Sequence, residues 1–114
     1  MISVLIERGK NGMLLSCKAK GHAGYAGRGF DIVCSAVTVL IRTTMEVVSG
    51  LPGVKLDSDV SRRGNLSFTV NADQLDDFIL ARLIYAGDFL ETGLGSVSRE
   101  YPEYLELKTV IIEI

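Results

Sequence analysis

Between residues 21 and 29 the chain reads Gly-His-Ala-Gly-Tyr-Ala-Gly-Arg-Gly, four glycines in nine positions, and a long apolar stretch follows at once. Ordering so many glycines costs too much backbone entropy for a regular helix or strand, so this segment predicts a mobile loop. The stretch from Asp31 to Gly50 places Ile32, Val33, Ala36, Val37, Val39, Leu40, Ile41, Met45, Val47 and Val48 on nearly every side of a helix. Asp31 is a good N-cap type, and Gly50 followed by Pro52 is a stop signal. A helix that is apolar all round has to be buried between layers or at a subunit contact. A glycine loop hinged on such a helix constrains everything placed before and after it.

Before the loop, Ile2, Val4 and Ile6 alternate with Ser3, Leu5 and Glu7. After a Gly9-Lys10-Asn11-Gly12 turn, Leu15, Cys17 and Ala19 alternate with Ser16, Lys18 and Lys20. This period of two predicts two strands with Cys17 facing the core and His22 continuing the polar side. After the helix, Val54 and Leu56 and then Leu66, Phe68 and Val70 predict a hairpin turning near Arg63-Gly64-Asn65. Asn71 with Gln74 reads as a capping box for a second helix. Its apolar stripe is Leu75, Ile79, Leu83, Ala86, Leu90, Leu94 and Val97, and Gly93 is a candidate break. Pro102 closes that helix, and Leu105–Ile114 predicts a last strand. The expectation is one α/β (α+β) domain over residues 1–114 in the order β-β-α-β-β-α-β, with a mixed, largely antiparallel sheet packed against two main helices.

Composition narrows the function classes. The 114 residues are 47% hydrophobic and 23% charged, enough to bury a core and too apolar for a disordered chain. No unbroken apolar run approaches a membrane span, and Ile2–Ile6 has no basic region ahead of it as a signal peptide would, so no membrane association and a cytoplasmic address are expected. Twelve Lys and Arg against 14 Asp and Glu leave a net charge of −2, with no basic stripe for direct nucleic-acid contact. Two cysteines and one histidine supply neither a disulfide framework nor a closed zinc site, so no metal and no cofactor are expected.

The candidate chemistry lies between Gly21 and Thr38. With Asp31 as N-cap, Cys34 falls in the first turn, where the helix dipole and free amides favour a thiolate. A thiolate beside an imidazole is the minimal unit of cysteine nucleophilic catalysis, and twelve residues rich in glycine allow His22 to fold back onto Cys34. Asp31 either caps the helix or orients His22. Thr38, one turn beyond Cys34, is a supporting residue or simply bonds back to a helix carbonyl. Bland alternatives stand beside these: Cys34 as a small buried hydrophobe and His22 pointing to water. A phosphate-cradling loop fits poorly, because Gly24-x-x-Gly27-x-Gly29 lacks a Gly-Lys-Ser/Thr ending and sets Asp31 where the anion would bind. A lid closing over an extended peptide fits better, with Gly21, Gly24, Tyr25, Gly27 and Gly29 as its substrate loop.

The run Gly21-His22-Ala23-Gly24-Tyr25-Ala26, then Gly29, then Asp31-Ile32-Val33-Cys34-x-Ala36-Val37 resembles the signature of the ribosomal-processing cysteine protease family Prp. The resemblance implies an endopeptidase that removes a short N-terminal extension from a bacterial large-subunit ribosomal protein, cutting after an aromatic residue. It further implies a homodimer and a catalytic dyad of His22 and Cys34. Asp31 matches the family's aspartate. Thr38 stands where serine is more usual and Ser35 where alanine is, and Arg28 and Phe30 fall in a variable part of the loop. Two rivals use the same residues: a non-catalytic module that binds a ribosomal protein during ribosome assembly, and a thioesterase.

Overall fold

In the computed structural model, the description covers residues 1–21, 28–60 and 64–113, and leaves out the side chains of residues 28–31. The elements are β1 (Ile2–Gly9), β2 (Leu14–Lys20), α1 (Arg28–Ser49), β3 (Val54–Asp59), β4 (Asn65–Ala72), α2 (Asp77–Glu100) and β5 (Leu105–Ile112). The expected order therefore holds throughout. The strands form one sheet in the order β3-β4-β2-β1-β5. Only β1 and β5 pair in parallel; β1–β2, β2–β4 and β3–β4 are antiparallel. From these pairings β2 runs parallel to β3 and β4 parallel to β5, so α1 and α2 are each the crossover that such a pair requires.

Alternation decides which sheet face is covered. Val4 pairs with Ala19 and Ala19 with Leu66; Ile6 pairs with Cys17 and Cys17 with Phe68. These rows are buried against Val33, Val37 and Ile41 of α1 and Leu83, Leu90 and Leu94 of α2. The opposite face, with Lys18, Lys20, Glu106 and Lys108, is exposed. Cys17 is 0% exposed, as its strand parity predicts.

Both helices start elsewhere than their sequence signals suggest. Asn71 belongs to β4, where it pairs with Lys55 and its amide donates to Asp57 at 2.7 Å. Strand pairing thus claims the residue that looks like a cap. Asp76 caps α2 instead, its carboxylate accepting from the Ile79 N–H at 2.8 Å, and Leu75 lies outside the helix, exposed. The helix also runs unbroken through Gly93, where a side chain would meet Leu40 of α1 at 3.0 Å. That glycine is a close-approach site between helices.

In α1 the helical backbone begins at Arg28, three residues ahead of the expected Asp31 cap. A glycine costs a helix about 1 kcal/mol, so Gly29 in the opening turn is tolerated by an element held along its length on the sheet. Residues Ile32–Ser49 are long and apolar enough, by length and composition, to cross a membrane. The expectation from unbroken runs overlooked this, since Arg42 and Glu46 interrupt the run without removing its apolar excess. In the fold the inner side of this helix packs on the sheet, with Val33, Val37, Ile41 and Val48 buried.

Candidate active site

The glycine segment begins at the end of the sheet where β2 stops. Gly21 leaves that strand with φ of 91°, a left-handed conformation that favours glycine. A Cβ at this position would lie 2.6 Å from the carbonyl oxygen of Met1, so no larger residue fits without moving the start of β1. Its N–H donates to the carbonyl of Gly64 at 3.0 Å, tying the exit of β2 to the β3–β4 connection. The residue preceding His22 is thereby fixed by two neighbouring segments. Sequence spacing marks Gly64 as a turn residue and does not place it beside the glycine segment.

His22, Gly24, Tyr25 and Gly27 lie outside the described residues. Gly29 and Asp31 are within α1, but their side chains are outside the description. The helix start corrects two expectations. Asp31 is the fourth residue of α1 and not its cap, and Cys34 is the seventh residue, in the second turn and not the first. The dipole's influence fades within the first turn, so Cys34 draws less from it than an N-terminal position would allow.

Cys34 and Thr38 are both half-buried and four residues apart on α1, on one side of the helix. Both cysteines are thiols, but their surroundings differ. Cys17 is enclosed by the core, and burial pushes its thiol up to about 12, so it is the neutral, inert member. Cys34 only borders the core. Among the described residues no group of His, Cys, Asp and Glu is arranged to hold a metal ion.

The model of the cysteine protease Prp family matches residues 1–106. The chain belongs to the Prp family of cysteine proteases. The ribosomal processing cysteine protease Prp of Bacillus subtilis is 27% identical over 112 residues, covering 98% of this chain and all of that protein. A crystal structure of the ribosomal processing protease Prp from S. aureus, in complex with a substrate peptide, superposes with a TM-score of 0.78. That match covers 96% of this chain and 100% of the other, at 20% identity. A Streptococcus mutans protein superposes with a TM-score of 0.74 at 26% identity, covering 98% of this chain and 96% of its own. As a member of Prp the chain is thus a cysteine protease in a family that processes ribosomal proteins, built on the same sheet and helix pair as the solved structures.

Proposed function

We propose that this protein, as one catalytic domain over residues 1–114, removes a short N-terminal extension from a large-subunit ribosomal protein. The cut follows an aromatic residue, and Cys34 and His22 form the dyad. The observation that carries the reading is the position of Cys34: half-buried, in the second turn of α1, just beyond the glycine segment that contains the only histidine. Cys17, the other thiol, is sealed in the core.

In this reading His22 takes the Cys34 proton, and the sulfur attacks the scissile carbonyl carbon. The imidazolium then protonates the departing amine, leaving an acyl-enzyme that water hydrolyses. Asp31 orients His22, and Thr38 supports the nucleophile from the next turn. The segment Gly21, Gly24, Tyr25, Gly27 and Gly29 orders over the extended peptide. The enzyme acts without a cofactor, in the cytoplasm, where thiols stay reduced, and as a homodimer. A net charge of −2 suits a basic protein substrate better than direct contact with nucleic acid.

The test is to mix the protein with the extended ribosomal protein and read the new N-terminus by mass spectrometry. One cut after an aromatic residue is expected, lost in Cys34→Ala and in His22→Ala and retained in Cys17→Ser. Binding without cleavage, or hydrolysis confined to acyl-thioesters, overturns the assignment.

A further inference from the structure

The two helices divide the sheet between them: α1 packs on β3 and β4, and α2 on β2 and β5. Leu40 fixes the rotation of α1, because it reaches α2 at Gly93. At about 100° per residue, Val37, which faces the sheet, lies about 60° round from Leu40, and Cys34 and Thr38 lie about 120° and 160° round in the same direction. The side of α1 that carries the thiol is therefore turned away from α2, toward the β3 edge. The levels match as well. Between α1 and β3 the chain turns tightly, with the Val54 N–H donating to the Leu51 carbonyl at 3.2 Å. From that turn Cys34 lies about 22 Å back along α1, and β3 carries the chain back about 17 Å to Asp59, so the thiol stands just past the end of β3. The roof is incomplete there. Ser58 shares a row with Phe68 and Cys17 on the face that the helices cover. Phe68 is 1% exposed, yet Ser58 beside it is exposed and Leu56 is half-buried.

We infer that the substrate is taken up as an added strand: residues on one side of the scissile bond pair with the outer edge of β3, which delivers the scissile carbonyl to Cys34. The inference deepens the proposed function and rests on Cys34 as the nucleophile. Three observations favour this occupant. First, β3 ends the sheet, and among the described residues no strand pairs beyond it, so its alternate N–H and C=O groups form a free edge beside the thiol. Second, the open inner face at Leu56 and Ser58 leaves room beneath α1 for every second side chain of such a strand. Third, the other side chains fall on the solvent face, next to Asp57 and Asp59, which are both exposed. Asp57 accepts from the neutral amide of Asn71 at 2.7 Å, a contact that does not cancel its charge. Backbone pairing binds any extended peptide, and side-chain neighbours supply the selectivity. Basic residues at alternate positions are thus favoured, and Asp57 is a specificity-determining residue. The β5 edge is a poorer place, because it lies four strand spacings away, about 19 Å, under α2.

The experiment uses quenched fluorescent peptides that span the cut mapped on the extended ribosomal protein. One set carries Lys or Glu at each position in turn, and a second carries single N-methylated peptide nitrogens. KM and kcat are read for the unmodified protein, for Asp57→Asn, which keeps an acceptor for Asn71, and for Asp57→Lys, each checked for folding by circular dichroism. N-methylation should raise KM about tenfold at every second residue on one side of the cut and leave the residues between them unaffected. Lys should be preferred over Glu about fivefold at alternate positions on that side. At one of these positions the preference should vanish in Asp57→Asn and invert in Asp57→Lys. Alternation in the N-methyl set with no change in the Asp57 variants places the added strand on another edge and overturns the inference. An N-methyl set without alternation overturns it too. Either result leaves the nucleophile reading standing where Cys34→Ala is inactive. Cleavage by Cys34→Ala, or none of any peptide by the unmodified protein, overturns that reading and this edge together.

Discussion

Arg8 is the residue that the sequence left least legible. It falls at the end of a strand, where a charged side chain is expected in water, yet it is 8% exposed. Its guanidinium donates to Asp88 at 2.7 Å and Glu91 at 2.8 Å, and to the carbonyls of Ile84 and Gly12 at 3.0 and 2.9 Å. Burial by itself lowers its pKa, but the two carboxylates outweigh that and leave it raised. No spacing rule joins positions 80 residues apart, so this clamp between the β1–β2 turn and α2 emerges only from the packing. Gly87 makes room for it: a Cβ there would sit 2.9 Å from the guanidinium. Gly87→Ala is therefore expected to lower the denaturant midpoint, although alanine in a helix otherwise gains about 1 kcal/mol. Arg8→Met, which strips both carbonyls of their donor, should cost about 1–3 kcal/mol. The thiols were far more legible, since strand parity alone puts Cys17 inside. Its raised pKa favours the neutral thiol in the fold, so its contribution is complete below the ordinary value of 9.0 and is lost as pH climbs toward about 12. Three pH units correspond to about 4 kcal/mol at the upper end of that window. In alkaline unfolding, Cys17→Ala should flatten this slope relative to the unmodified chain. A thiol probe at neutral pH should label Cys34 and spare Cys17 until the protein unfolds.

At the scale of elements, period-two and period-three-to-four patterns located all seven segments, while cap chemistry misplaced the start of both helices. The reason is physical: a cap residue type marks a helix end only if no strand partner claims it first, as β3 claims Asn71 through Lys55 and Asp57. Asp76 carries the cap in fact, and Asp76→Ala should destabilise the protein by about 1 kcal/mol, measured by urea unfolding. Propensity alone makes Gly93 a candidate break, because it counts backbone entropy and omits the neighbour, Leu40, that needs the space. The same blindness affects the site. The motif from Gly21 to Val37 was legible as a string, but the earlier start of α1 moves Cys34 into the second turn. Its reactivity should accordingly fall more on replacing His22 than on replacing any acid or base near the helix start. The pH profiles of Cys34 alkylation in His22→Ala and Asp31→Asn would show which.

For the molecule as a whole, the strand order is not legible in the sequence, because pairing of β1 with β5 joins positions a hundred residues apart, with five other elements between them that carry no register information. That pairing puts the first and last strands side by side and parallel: Ile2 lies opposite Leu105, and Gly9 opposite Ile112. Removing residues 105–114 should strip the parallel partner from β1 and expose Ile2, Val4 and Ile6 at a raw edge, giving an insoluble product in a simple expression test. The Met1 carbonyl, at the opposite end of β1 from Gly9, presses on Gly21 at the entrance to the glycine segment. For anyone preparing the enzyme this decides where a purification handle belongs. Residues added ahead of Met1 emerge beside Gly21, where the glycine segment begins, and on the proposed reading they are expected to slow substrate cleavage relative to a handle at the other terminus. Residues added after Ile114 follow a strand that runs away from that segment.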